Sequence, residues 1–280
     1  MARRRLADEP TSRLAIWARR SAFFALMTTV LSVLIVRSGI LDVVPALATF
    51  AGALLFAVIG IVLAFGAFVV IWKDGSNGIG HAFAAIGIGL ALIAYPAYLG
   101  TRAYKLPMIN DITTDPIDPP PFGRLAQLRP RGTVEYPGLY AAEQQRAAYP
   151  DVEPLSLNAT PKAAYDAAMA IIVRGRWRVV VDLPPGPARR IGQIGAVART
   201  AIMGFRDDVV IRVRPEDDGS RIDVRSASRY GRHDFGTNAA RIKSLLEDID
   251  ERLTADDEKA NRAAPKQPKP PAKLPQPVKL

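Results

Sequence analysis

The densest run of chemistry-capable side chains is Arg225, Ser226, Ser228, Arg229, Arg232, His233, Asp234 and Asn238. It falls between the end of an expected strand and the start of an expected helix. Free backbone amides at a helix start attract anions, and guanidinium groups add charge-assisted hydrogen bonds. Arg225, Ser226, Ser228, Arg229, Arg232 and Asn238 are therefore a candidate anion-binding set. A phosphate, a carboxylate or an anionic lipid headgroup would suit it. The plainer reading has Asp234 or Thr237 capping the helix, Arg229 and Arg232 solvated, and Arg212–Asp223 forming a surface ion pair. Exposure is the default for such residues, so the plainer reading weighs more.

A second candidate lies in Leu106-Pro-Met-Ile-Asn-Asp-Ile-Thr-Thr-Asp-Pro-Ile-Asp-Pro-Pro-Pro-Phe122. Asn110, Asp111, Thr113, Thr114 and Asp115 carry short oxygen-bearing side chains suited to turns and to capping backbone groups. With Asp118 the carboxylates could hold a small ligand or cation. The consecutive prolines favour a stiff extended path, and a strap that positions a domain is the stronger reading.

Other chemistries find little support. Ser226 or Ser228 with His233 and Asp234 are sequence neighbours, which rarely reach triad geometry, and no G-x-S-x-G elbow is present. The chain has no cysteine and two histidines, so thiolate metal sites, disulfides and cysteine nucleophiles are excluded. No complete G-x-G-x-x-G follows a strand and there is no phosphate-binding P-loop. No catalytic residue is assigned, and no cofactor or metal is expected. A carboxylate-dependent enzyme using Asp111, Asp115 and Asp234 stays as an alternative.

The elements that must position these residues divide the chain. Three stretches are candidate membrane spans: Ser21 to about Leu41, a segment within Val43–Trp72, and Ile79–Thr101. About 20 apolar residues cross the hydrocarbon. The first is interrupted by Arg37, near enough to its end to reach the interface. A cleaved signal peptide is disfavoured, because two further spans follow and no convincing cleavage site precedes Asp42. Arg3, Arg4, Arg5, Arg13, Arg19 and Arg20 precede the first span, which predicts a cytoplasmic N-terminus and residues 102–280 on the far side. Small residues recur at four-residue spacing: Ala53/Ala57, Gly60/Ala64, Gly80/Ala84 and Ala85/Gly89. They allow close packing of the three helices, or alternatively of a second copy.

Net charge is +10, yet residues 107–258 carry 21 basic and 23 acidic side chains. The excess sits at the membrane end and on the tail, which argues against nucleic acid and for lipid.

Thr160-Pro161 predicts a helix start, with Tyr165, Met169, Ile172 and Val173 on one face and Gly175 at its end. Trp177–Asp182 reads as a strand and about Ile194–Phe205 as another extended segment. Asp208–Arg214 and Arg221–Ser228 form a hairpin around Glu216–Ser220. Its register pairs Val213 with Ile222, Ile211 with Val224 and Val209 with Ser226 on the core face. Arg212 with Asp223 and Val210 with Arg225 fall on the other. A last helix starts near Asp234–Asn238, with a stripe of Ile242, Leu245, Leu246, Ile249 and Leu253.

The expected architecture is an α-helical membrane region of three transmembrane helices plus an α+β soluble domain. That domain has a mainly antiparallel sheet of about four strands and two helices on one face. The expected segments are a basic cytoplasmic N-terminus (1–20), spans (21–101), an extended Pro-rich strap (102–122), the α+β domain (123–253) and a disordered Pro/Lys-rich tail (254–280).

Three motifs make a resemblance visible: "INDITTDPIDPPPF" at 109–122, "GFRDDVVIRVRP" at 204–215 and "SRIDVRSASRYGRHDFGTNAARI" at 220–242. Together they resemble a bacterial domain of unknown function, DUF1499, over residues 107–253. The resemblance implies a bacterial protein whose domain follows membrane spans, and it implies no activity. The functional expectation is a membrane-anchored, non-catalytic binding or interaction domain facing the periplasm from the inner membrane. Its expected partners are the bilayer and an anionic ligand or envelope protein. A structural assembly subunit is the remaining alternative.

Overall fold

The computed structural model describes residues 10–39, 43–129 and 133–263. Arg3, Arg4, Arg5, Leu41, Asp42 and residues 264–280 of the expected tail lie outside the described residues. Three helices come first: α1 (Arg13–Ser38), α2 (Val43–Asp74) and α3 (Ile79–Lys105). Each is long and apolar enough to cross a membrane. α1 begins ahead of the expected Ser21, so Arg13, Arg19 and Arg20 lie on its exposed side.

The small residues set the packing. A Cβ on Gly60 would stand 3.2 Å from the Ala18 carbonyl oxygen, and one on Gly89 would stand 2.7 Å from Ile61 Cγ1. Ala53, Ala57, Ala64 and Ala85 are buried too, whereas Gly80 is exposed. Outward stand Phe23, Phe24, Met27, Leu31, Leu34, Leu55, Phe56, Val62 and Phe65, an apolar surface that hydrocarbon satisfies. At one end the Ser12 amide donates to the Asn77 carbonyl (2.8 Å), tying the α2–α3 turn to the start of α1. The α+β domain sits at the other end.

That domain contains β1 (Asp111–Thr113), a 3-10 helix (Gly123–Leu128), α4 (Leu139–Ala148), β2 (Leu155–Leu157) and α5 (Pro161–Arg174). Then follow β3 (Arg178–Leu183), β4 (Gly192–Arg199), β5 (Arg206–Glu216), β6 (Gly219–Ser228) and α6 (Thr237–Ala263). The strands form one antiparallel six-stranded sheet in the order β1-β6-β5-β4-β3, with β2 also on the outer side of β6. The β5–β6 register is the expected one, with Val213 opposite Ile222, Ile211 opposite Val224, and Arg212 opposite Asp223.

One sheet face is the main core. Ile194, Ala196, Val209, Ile211, Val213, Ile222 and Val224 meet Ala164, Ala168 and Ile172 of α5 and Ile242, Leu245 and Ile249 of α6. The Thr160 hydroxyl accepts the Ala163 amide and Pro161 takes the first helical position, so α5 starts as its sequence dictates. At its other end Gly175 stays right-handed, and Arg176 takes the left-handed turn (φ 54°).

The other face is covered by the chain after β1. Phe122 and Leu125 pack there on Val197, Val210 and Ala227.

Four expectations need correction. The sheet has six strands, because β1 and β2 are three residues each, too short to show a period. α4 is a further helix, set on a stretch of Ala, Gln and Arg with no strong apolar stripe. The extended segment expected through Phe205 ends at Arg199, because Gly204 (φ +72°) and Thr200 close a tight loop. The last helix runs on through Ala263.

Candidate functional site

The strap motif is part of the sheet. Asp111, Ile112 and Thr113 pair with Ala227, Ser226 and Arg225 of β6. The Asn110 carbonyl accepts the Ser228 amide, and the Asn110 side chain donates to the Gly231 carbonyl. The Thr114 amide donates to the Val224 carbonyl, and its hydroxyl accepts the Val224 amide (both 2.9 Å). On the open edge of β1, Gln145 of α4 stands in for a missing strand. Its amide donates to the Thr113 carbonyl (2.7 Å) and its carbonyl accepts the Thr113 amide (3.0 Å).

Charges on the strap face form a chain of pairs, buried at its centre and half-buried toward the hairpin. Arg225 holds Asp111 through two bonds, Nε to Oδ1 at 3.0 Å and Nη2 to Oδ2 at 2.7 Å. Asp208 is held by Arg229 (2.7 Å) and Arg129 (2.9 Å). Phe122 lies between Arg129 and Arg225, whose guanidinium carbons stand 4.3 and 4.1 Å from the ring centroid. Toward the hairpin end, Asp223 is bound by Arg212 (3.1 Å), Arg214 (2.8 Å) and Arg221 (2.9 Å). Asp115 is within 3.4 Å of the same three arginines, and Asp118 within 2.9 Å of Arg212.

These environments shift titrations. Burial opposes ionisation of Asp115, but the Asp118 amide and the guanidinium groups of Arg221, Arg214 and Arg212 outweigh it and hold the carboxyl below its ordinary range. Burial, with the Asp111 charge, pushes Tyr136 up to about 12, so it stays protonated beside Arg225. Burial raises Asp234 against the amides of Gly236 and Asn238 that it accepts at the head of α6.

The sequence-nominated anion site is thus largely occupied by the protein itself. Arg225 and Arg229 are engaged by Asp111 and Asp208 rather than open to a ligand or solvated. The Ser226 hydroxyl donates to Asn238 Oδ1 (2.8 Å), and Asn238 Nδ2 donates to Ser228 Oγ (3.0 Å). Arg241 joins this group through Ser226 and the buried Asp207. Arg232 alone of the set is exposed and apart. Asp234 caps the helix, as the plainer reading had it. Arg212–Asp223 is the correction: Asp223 is fully buried, because the strap closes over that face. The candidate enzyme carboxylates are likewise engaged: Asp111 and Asp115 by guanidiniums, Asp234 by backbone amides. No group of three or more His, Asp or Glu side chains suited to a metal occurs among the described residues.

An open cationic region lies elsewhere, and the sequence reading missed it. A cavity of about 450 Å³ is lined by Arg176, Arg178, Arg199, Arg206 and Arg229, with Trp177, Val197 and Leu128. It sits at the end of the sheet nearest the three helices. Its arginines come from three adjacent strands, the residue after β6 and the α5–β3 turn, so no contiguous motif advertises it.

This end of the domain grips the helices. Arg37 donates to the Ala201 and Ile202 carbonyls at 2.7 and 3.0 Å, and Arg199 donates back to the Arg37 carbonyl at 3.0 Å. Met203 shares a buried cluster with Val36 of α1 and Ala46 of α2, against which Val33 and Phe205 pack. A second grip joins the α6 end to α3, where the His233 ring meets the Leu106 carbonyl at 3.2 Å.

Comparison with curated proteins and with solved structures finds no match. Residues 111–249 match a protein family of unknown function, DUF1499. The span opens at the first residue of β1 and closes within α6, so it takes in the whole sheet, the strap from Asp111 onward and the buried charge chain. The chain carries a DUF1499 domain over residues 111–249, behind three N-terminal helices long and apolar enough to cross a membrane.

Proposed function

We propose that this chain is a membrane-anchored, non-catalytic binding domain on the periplasmic side of a bacterial inner membrane, presenting a cationic surface to an anionic ligand or envelope partner. The observation that carries the reading is the double grip of the domain on the outer ends of α1, α2 and α3. A domain held at two points keeps one fixed face toward the bilayer. The engagement of Asp111, Asp115 and Asp234 supports the non-catalytic part, since a general acid or base needs a carboxyl free to exchange protons. The arginines before and within the start of α1 support the compartment, because that end stays in the cytoplasm.

The chain has no cysteine, so single-cysteine labelling has no background. Asp217→Cys lies in the exposed β5–β6 turn and Lys73→Cys at the opposite end of the helices. A membrane-impermeant maleimide applied to cells with a permeabilised outer membrane is expected to label D217C, and to label K73C only after lysis. The reverse pattern would refute the compartment.

A further inference from the structure

We propose that the arginine-lined cavity at the helix-facing end of the sheet binds a phosphate group presented at the membrane surface. The inference rests on the binding-domain reading above and names the ligand chemistry.

The geometry starts from strand ends. β3 begins at Arg178, β4 ends at Arg199, β5 begins at Arg206, and Arg229 follows the last residue of β6. Arg199 stands directly opposite Arg206, and Arg178 is opposite Val197, which places it diagonal to Arg199. Side chains opposite or diagonal on one face are within reach of each other, and like charges so placed repel. Arg176 enters from the turn before β3. Three neighbouring strands and the turn before β3 therefore bring like charge to one corner of one face.

Elsewhere on that face the buried and half-buried arginines meet carboxylates: Arg212, Arg214 and Arg221 meet Asp223 and Asp115, Arg225 meets Asp111, and Arg129 and Arg229 meet Asp208. At the helix-facing corner the pattern stops. Arg176, Arg178, Arg199 and Arg206 have no carboxylate partner among the described residues, and Asp208 already serves Arg229 and Arg129. Four arginines at one corner without a carboxylate partner among the described residues leave that corner suited to an anion from outside.

Phosphate suits the corner. The guanidinium fork matches paired phosphate oxygens, and several forks converging on one cavity give multiple charge-assisted bonds. The volume, about 450 Å³, lies in the range of small-molecule sites. Trp177 supplies an amphipathic wall of the kind favoured at membrane interfaces. Position narrows the source. The Arg206 guanidinium lies against Gly39, where an added Cβ would stand 2.0 Å from its Nη2, and Arg199 is bonded to the Arg37 carbonyl. The cavity thus adjoins the end of α1, where a membrane-spanning helix would meet the lipid phosphates.

The test uses full-length protein in nanodiscs of phosphatidylcholine with phosphatidylglycerol, transferred to a neutral detergent and examined by native mass spectrometry. Wild type is expected to retain phosphatidylglycerol in preference to phosphatidylcholine. R178Q/R206Q is expected to lose that retention on the order of tenfold, the scale of removing charge-assisted bonds. R189Q/R190Q removes two exposed charges at the opposite end of the sheet and should change nothing. R178Q alone, at an exposed position, should show part of the loss if the double variant unfolds. A second arm measures melting temperature with glycerol 3-phosphate. A rise in wild type but not in R178Q/R206Q, without lipid retention, assigns the site to a free phosphate ester rather than a headgroup. If neither phosphate source distinguishes wild type from the arginine variants, the proposal is wrong. Labelling of D217C only after lysis would instead remove the periplasmic reading and leave phosphate binding standing.

Discussion

At the scale of residues, Arg225 shows how the buried charge chain works. Both it and Asp111 are almost wholly inaccessible, and each satisfies the other through two bonds. Removing one partner of such a pair leaves an uncompensated buried charge, at a cost of about 3–5 kcal/mol. Arg225→Met is therefore expected to destabilise the protein by that order in chemical denaturation. Asp111→Leu combined with Arg225→Met should recover much of the loss, because apolar replacement of a whole pair is often neutral. Asp115 gives a pH signature. Its folded-state carboxyl is held below the unfolded value near 4, so its contribution is complete above that pH and falls away as pH drops through the folded value. Wild type should lose stability on acidification below about pH 4 more steeply than Asp115→Asn, measured by urea midpoints across pH. Little of this was legible in the sequence. Asp111 and Arg225 are far apart in the chain, and nothing local at either position states that the strap crosses the sheet. Arg212 and Asp223 were paired correctly by hairpin register, yet their burial depends on the same strap and was missed.

At the scale of elements, legibility followed length and period. The β5–β6 hairpin carries alternating apolar residues on both arms, and a two-residue period with a turn centre fixes the register. α5 announces itself by Thr160-Pro161, and α6 by its apolar stripe. β1 is the opposite case, a three-residue strand whose stability is lent by α4. Gln145 satisfies both backbone groups of Thr113, which would otherwise be an open sheet edge. Gln145→Ala should leave a buried amide and carbonyl unpaired, costing about 1–3 kcal/mol. Amide hydrogen exchange at Thr113 is the measurement, with faster exchange expected there than at Val224 in the centre of β6. Unchanged exchange at Thr113 would show that the edge is held by something else.

At the scale of the whole molecule, the α+β domain meets the three helices at two places. The β4–β5 loop, Thr200 to Phe205, is apolar at Ala201, Ile202, Met203 and Phe205, and it rests on the ends of α1 and α2. The Ile202 side chain at that tip is half-exposed, and a bilayer surface at the depth of Val36 and Ala46 would cover it. The arginine cavity lies beside this loop, where the proposed headgroup phosphates would come within reach. Headgroup contact requires the end of the sheet to sit at the lipid surface. Ile202→Cys with a nitroxide label, in the full-length protein in nanodiscs, reads this directly through its relaxation by oxygen and by a water-soluble nickel chelate. Oxygen accessibility exceeding nickel accessibility at Ile202, with the reverse at Asp217→Cys, is the predicted result. Equal, water-like accessibility at both positions would contradict a sheet end held at the membrane surface.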